Sequence, residues 1–319
     1  MSAATTEQLT VGIDVGGTNI RAGVVDSHGV IIDTVEAPTP GSEQALETAL
    51  ARAVTELRGR HWITAVGLAV AGFVTPDNAT VLFAPHLPWL RAPVSRRMSE
   101  RLALPVVLEH DANAAAWAEH RFGAAGGGRV VLLVAIGTGI GAALLIDGVL
   151  FRGAHGVAPE LGHLRMVPGG RVCPCGKHGC WERYCSGTGL AATALEMLAA
   201  DPARSSVLSR AVAAEPGSLT GRTVMRAARD GDQLAVAAVA ELARWLGEGL
   251  AVASDIYDPD LIVVGGGVGA AAPQFLDDAR EHYAARVTGA GHRPLARIRT
   301  AQMGTTAALV GAADLARTR

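Results

Sequence analysis

The chain has 319 residues, 49% of them hydrophobic and 18% charged, with a formal net charge of −2. Its length exceeds one ordinary core and suits two lobes. The apolar content excludes a disordered chain, and the near-neutral charge excludes a broad nucleic-acid-binding surface.

The opening Met1-Ser-Ala-Ala-Thr-Thr-Glu has no basic patch followed by an apolar run, so no signal peptide is expected. Glycines and charges interrupt every apolar stretch before it reaches bilayer length. A cytoplasmic protein without a membrane partner is therefore expected. Leu9 to Asp14 reads as a strand that runs into the tight loop Gly16-Gly17-Thr18. Arg21 to Asp26 and Val30 to Val35 follow as a hairpin around Ser27-His28-Gly29. A helix over Ser42 to Arg58 puts Leu46, Leu50, Val54 and Leu57 on one face, with Ser42 as N-cap. Ala65 to Val70 is a buried strand ending at Ala71-Gly72. Val106 to Glu109 is another, followed by a helix over Ala112 to Phe122.

The opening pattern then recurs. Val11-Gly-Ile-Asp-Val-Gly-Gly-Thr matches Val134-Ala-Ile-Gly-Thr-Gly-Ile-Gly as strand, Gly/Thr loop and second strand. Two occurrences point to a duplicated domain, and two like lobes with facing glycine loops imply a ligand cleft. Helices are expected near Gly187–Ala200, Thr223–Arg229, Gln233–Ile256, Pro273–Arg286 and Thr305–Arg317. Leu261 to Val264 is a strand entering Gly265-Gly266-Gly267, and residues 201–220 read as a loose loop. Strands alternating with helices make the class α/β.

Three loops carry the phosphate-binding signal. Gly16 and Gly17 let backbone N–H groups approach phosphate oxygens, Thr18 adds a hydroxyl, and Asp14 at the strand end can hold Mg²⁺ directly or through water. Gly137-Thr138-Gly139 offers a second clamp, and Gly266-Gly267 a flat backbone for a purine. Neither a Walker A motif nor a Rossmann fingerprint is present, because no Gly-Lys-Ser/Thr closes a loop and a strand follows Gly139.

Glu109-His110-Asp111 lies between a strand and a helix. Asp111 at a helix N-terminus reads as a cap or as a carboxylate that accepts the proton of an attacking hydroxyl, and one position can serve both ends. Glu160, His163 and Glu182, in glycine-rich and otherwise uncharged surroundings, suit hydrogen bonding to sugar hydroxyls. The four cysteines, Cys173, Cys175, Cys180 and Cys185, fall in one short segment. Cys173, Cys175 and Cys180 offer three thiolates to a structural Zn²⁺. His163, His178 and Cys185 are all candidates for the fourth place.

Asp14-Val-Gly-Gly-Thr, His110-Asp-Ala-Asn-Ala-Ala, Ile136-Gly-Thr-Gly-Ile-Gly, Glu160-Leu-Gly-His and Cys173-x-Cys-Gly-x-x-Gly-Cys-x-Glu together resemble the ROK family of repressors and sugar kinases. Within it the likeness is greatest to actinobacterial ATP-dependent glucokinases. The resemblance implies two actin-like (ribonuclease H-like) lobes: residues 1–111, with the C-terminal helix 303–319 packed back on them, and 112–302, with a zinc-binding segment at 163–185. It implies ATP with Mg²⁺ as phosphoryl donor and a hexose, glucose first, as acceptor. N-acetylmannosamine, N-acetylglucosamine, fructose or allose are alternative sugars, polyphosphate an alternative donor, and a non-catalytic sugar-sensing regulator an alternative role. Only ten residues precede Val11, too few for a repressor's helix-turn-helix.

By the same resemblance, Asp111 is the base for the sugar 6-hydroxyl. Gly72, His110, Asp111, Glu160, His163 and Glu182 contact the sugar. Asp14, Gly16, Gly17, Thr18, Thr138, Gly139, Gly266 and Gly267 line the ATP site. His163 joins Cys173, Cys175 and Cys180 on zinc. A homo-oligomer, dimer or tetramer, is typical of the family. Two positions depart from its pattern: His110, where Asn is more frequent, and Asn19, where close relatives often carry Lys.

Overall fold

The computed structural model describes residues 8–318. The reading of residues 1–7 as lacking a signal, and the last residue of the expected C-terminal helix, lie outside the described residues. The chain forms two compact units. One takes in the chain up to Gly127, Ala143–Pro159 and the chain from Thr305; the other takes in Gly128–Ala142 and Glu160–Gly304.

In the first unit, β1 (Leu9–Val15), β2 (Asn19–Val25) and β3 (Ile31–Pro38) form an antiparallel meander. Helix α1 (Glu43–Arg58) follows, with the Ser42 hydroxyl accepting from the Ala45 amide at 3.3 Å. It buries Leu46, Leu50, Val54 and Leu57, the face its spacing predicts. Strand β4 (Ile63–Val70) pairs parallel with β1. A small antiparallel sheet of β5 (Phe73–Val74), β6 (Val81–Phe83) and β7 (Leu90–Ala92) comes next, then α2 (Val94–Leu102). Strand β8 (Val106–His110) pairs parallel with β4 and leads directly into α3 (Asp111–Phe122). The sheet order is β3-β2-β1-β4-β8.

The three parallel strands end on one edge, which places Asp14, Gly72 and Asp111 on that edge. Central strands β1 and β4 are buried almost throughout, because both sheet faces are covered. Trp89, α1 and α2 close one face. On the other, the C-terminal helix α10 (Ala307–Arg317) runs against the backbone of β1 and β4. A Cβ at Gly67 would run into the Ala312 carbonyl, and one at Gly311 into that of Ala114 in α3. Small residues on all four elements let the backbones approach closely.

Buried Asp314 fixes this contact. It accepts from Trp117 Nε1 at 2.9 Å, Arg121 Nε at 3.1 Å and Arg317 Nη1 at 2.7 Å. Arg317 Nη2 in turn donates to Thr10 Oγ1 at 2.8 Å. The cut expected at 111/112 falls at the start of α3, and α3 itself packs on α10 within the first unit.

The second sheet contains β9 (Val130–Ile136), β10 (Ile140–Ile146), β11 (Val149–Phe151), β12 (Leu261–Gly265) and β13 (Arg297–Thr300), in the order β11-β10-β9-β12-β13. Strand for strand, this repeats the order of the first sheet, and β9, β12 and β13 are parallel as β1, β4 and β8 are. The duplicated Gly/Thr pattern in the sequence thus corresponds to a duplicated topology.

Around it lie α4 (Gly187–Ala200), α5 (Val207–Ala214), α6 (Gly221–Arg229), α7 (Gln233–Tyr257), α8 (Gly266–Gly269) and α9 (Leu276–Arg286). Residues 201–220, expected to be a loose loop, contain the short helix α5. Ser206 caps it, and Asp232 holds it by accepting from the Ser206 hydroxyl at 2.8 Å. No helix of the described residues is long and apolar enough to cross a membrane.

Candidate active site and metal cluster

The turn after β1 is closed by its own backbone. The Gly16 amide donates to the Asn19 carbonyl at 3.1 Å, and Thr39 Oγ1 donates to the Gly16 carbonyl at 2.6 Å. Gly17, Thr18 and Asn19 are exposed. Gly17 lies against His86, whose Cβ occupies the space a side chain at 17 would need. His86 was not among the residues the sequence points to, since nothing in Ala-Pro-His-Leu-Pro-Trp marks it apart from other loop histidines.

Asp14 is the penultimate residue of β1, with its side chain 23% exposed, and Arg21 Nη2 lies 3.9 Å from its Oδ2. Burial, then the charge of Asp111, push its carboxyl up to about 6, while Arg21 pulls the other way. Asp14 holds its proton more tightly folded than unfolded, where the value is 3.8. Its cost to stability is thus absent at low pH, grows as pH rises through that window and is complete above about 6. Asp14→Asn is expected to stabilise the ligand-free, metal-free protein at pH 7.5 by on the order of 2 kcal/mol. The gain should shrink toward zero as pH falls toward 4. Thermal melts of both proteins across pH check this; an equal gain at every pH, or a loss at pH 7.5, contradicts it.

Asp111 is the first residue of α3, not its cap. His110 has the extended backbone of the N-cap position and makes no side-chain cap bond. Asp111 is 40% exposed at the side chain, accepts from the Ala112 amide at 2.7 Å and lies 3.3 Å from His110 Nε2. A carboxylate there meets the positive end of the helix. Gly72 follows β4, buried, with its amide donating to the Val70 carbonyl at 2.9 Å.

In the second unit, the Gly137 amide donates to the Gly139 carbonyl at 2.9 Å. The loop is fastened to the start of α4: the Gly187 amide donates to the Gly137 carbonyl at 2.8 Å, and Thr188 Oγ1 to that of Thr138 at 2.9 Å. Gly139 lies against the Glu182 carboxylate, which fills the space a Cβ would take. Gly266 begins α8 at φ +83 with its Cα against Ile136, a conformation and an approach that only glycine allows. Gly267 beside it is exposed.

Glu160 precedes a 3₁₀ turn over Leu161–His163, and Glu182 lies in a second over Trp181–Arg183. Trp181 anchors the second turn: it is fully buried, and its Nε1 donates to the Trp245 carbonyl of α7 at 2.7 Å. His163 stands between the two acids, with Nε2 3.9 Å from Glu160 Oε2 and Nδ1 3.6 Å from Glu182 Oε1.

His163 Nδ1 also lies 3.7 Å from Cys173 Sγ, and Cys175 Sγ lies 3.6 Å from Cys180 Sγ. All four ligand atoms fall within 4.8 Å of one another. Ligands at about 2.0–2.3 Å from a tetrahedral zinc stand about 3.3–3.8 Å apart, so the donor set fits that ion in chemistry, and the His163–Cys173 and Cys175–Cys180 pairs fit it in spacing. The other candidates for the fourth place point elsewhere. His178 Nδ1 faces the Gly170 carbonyl at 3.2 Å, and Cys185 is fully buried outside the group.

Burial pushes the Cys173 and Cys180 thiols up. At Cys175 burial acts the same way, but the Lys177 amide, the two neighbouring thiols and the Lys177 charge outweigh it and lower that thiol. A divalent cation among three sulfurs would reverse the cost of ionising the first two.

The ROK family model matches residues 10–319. The chain belongs to the ROK family. It is 45% identical over 309 residues to a glucokinase of Streptomyces coelicolor, covering 97% of this chain and 98% of that one. Among solved structures, a ROK family glucokinase from Streptomyces griseus, in complex with glucose and AMPPNP, superposes with a TM-score of 0.86 at 44% identity, covering 98% and 100% of the two chains. A ROK hexokinase from Thermus thermophilus gives 0.79 at 34%, covering 98% of each. The α/β class and the paired sheets of this ROK chain are those of the sugar-kinase fold.

In this ROK chain Glu109 lies beside the motif residues without being one of those that the motifs mark. It is 2% exposed at the end of β8 and carries a hydrogen-bond network with Asn78, Asn113 and Arg152. An acid inside an apolar strand was the available signal. Its partners, distant in sequence, were not legible.

Proposed function

We propose that this chain is an ATP-dependent glucokinase that makes glucose 6-phosphate. The observation that carries the reading is the pair of acids on one strand edge. Asp111 is accessible at a helix N-terminus, and Asp14 is held close enough to be perturbed by its charge. The full-length likeness to glucokinases supports the choice of sugar and donor.

Asp111 accepts the proton of the sugar 6-hydroxyl as that oxygen bonds to the γ-phosphorus and the bond to the bridging oxygen of ADP breaks. Its lone pair is open to do so, because among the described residues only the Ala112 amide and the His110 ring sit against it at hydrogen-bond range. His110, Gly72, Glu160, His163 and Glu182 hold and orient sugar hydroxyls. Gly16, Gly17, Thr18, Thr138 and Gly139 present backbone and hydroxyl groups to the phosphates, and Gly266 and Gly267 receive the nucleoside. Asp14 would hold Mg²⁺, which supplies neutralisation of phosphate charge. His163, Cys173, Cys175 and Cys180 would hold a structural Zn²⁺ that fixes the His163 ring, leaving Nε2 toward Glu160.

Steady-state turnover against a panel of glucose, mannose, fructose, N-acetylglucosamine and N-acetylmannosamine, with ATP or polyphosphate as donor, tests the reading. Glucose with ATP should give the highest kcat/KM. A higher value for an N-acetyl sugar, or for polyphosphate, overturns it.

A further inference from the structure

We infer that Glu109, clamped by Arg152 and Asn113, is the positioning residue for Asp111; the inference rests on the role given to Asp111 above. Glu109 Oε2 accepts from Arg152 Nε at 3.0 Å, from Arg152 Nη2 at 2.5 Å and from Asn78 Nδ2 at 3.1 Å. Its Oε1 accepts from Asn113 Nδ2 at 2.9 Å and from the His110 amide at 3.1 Å. One carboxylate thus ties together the end of β8, the turn at 75–80, the first turn of α3 and the segment after β11. All of these belong to the first unit.

Asp111 lies midway between two tied points, two residues after Glu109 and two before Asn113. Its own side chain is 40% exposed, so little packing holds it. The place of its carboxylate is set by the backbone on either side, and Glu109 holds both sides. Asn78 adds a second tie, donating to the Leu108 carbonyl at 2.6 Å from a left-handed backbone at φ +58.

A charge in this place is an expensive way to pack a strand end. An apolar side chain of like volume usually serves stability as well as a buried ion pair does. What the acid offers is direction: a forked guanidinium, two side-chain amides and one backbone amide converge on it with fixed geometry. Proton transfer is sensitive to that kind of order, since a misplacement of about 1 Å costs on the order of a hundredfold in rate.

Arg152→Met, Arg152→Lys and Asn113→Ala test the assignment, each scored as turnover per glucose-binding site, with the binding sites counted by calorimetry. Arg152→Met should lower kcat about a hundredfold, and Asn113→Ala about tenfold, with glucose Kd and the KM for ATP within about threefold of the parent. Arg152→Lys, which keeps the charge but loses the fork, should recover part of the loss. If Arg152→Met does not fold, Asn113→Ala and Arg152→Lys carry the test. A purely structural role would lower the melting temperature and leave turnover per binding site unchanged, and that result overturns the inference. Asp111→Asn measured alongside separates the two readings: if it is inactive while these variants turn over normally, only the positioning role fails; if it is active, the base itself is misassigned.

Discussion

Asp111→Asn is expected to lower kcat by about 10²–10⁴-fold while glucose still binds. Asn has nearly the shape of Asp and still reaches the Ala112 amide with its carbonyl oxygen, but it cannot take a proton. The substitution also distinguishes catalysis from helix support. Asp111 sits in the first turn of α3, where a negative charge is worth about 0.3–1 kcal/mol at an exposed site. Were that its only service, the Asn protein would lose a degree or two of melting temperature and keep its turnover. Turnover, glucose affinity by calorimetry and a thermal melt on the same sample check this. Full turnover in the Asn protein would move the base elsewhere.

Cys175→Ala is expected to abolish retention of zinc and weaken glucose binding more than tenfold. Cys175 is exposed, so truncating its side chain leaves no cavity, and the effect reports ligation. Structural zinc sites carry on the order of 10 kcal/mol of apparent binding energy, and three ligands cannot hold the ion as four do. Without the ion, the His163 ring would lose an anchor on the Nδ1 side, where Cys173 lies, and with it the hold that keeps Nε2 toward Glu160. Elemental analysis after dialysis should find about one zinc per chain in the parent and little in the variant. Cys185→Ser, outside the cluster, should keep its zinc. Retention of a full equivalent by Cys175→Ala, or parental glucose affinity in its metal-free form, contradicts the assignment.

Much of this was legible in the sequence because it is local. The run from Leu9 to Asp14 ends where backbone must turn, and Leu46, Leu50, Val54 and Leu57 repeat at helical spacing. Three cysteines within eight residues mark the segment that the fold gathers with His163 into one cluster of donors. The parts that were missed depend on distance along the chain or on brevity. Strands β5, β6 and β7 have two or three residues each, too few for alternation to register, and Phe83 and Leu90 face outward among them. Helix α2 carries the right signal, Val94, Met98 and Leu102 four apart and buried, but it follows Pro93 and is otherwise mostly polar. Helix α5 lies between prolines and buries only Leu208.

At the site, the limits were of the same kind. Whether Asp111 caps α3 or begins it depends on the backbone of His110, one residue away. Tertiary folding groups His163 with Cys173, Cys175 and Cys180, turns His178 toward Gly170 and leaves Cys185 outside the cluster. Glu109 was in plain view next to the motif. Its meaning depends on Arg152, 43 residues later.

The most direct test of the whole account is to identify the product. Purified protein with ATP, Mg²⁺ and glucose labelled with carbon-13 at C6 should yield glucose 6-phosphate and ADP in equal amounts, with the phosphorus coupling seen at the labelled carbon by NMR. ADP release no faster than in a sugar-free control, or phosphate found on another carbon, would contradict it.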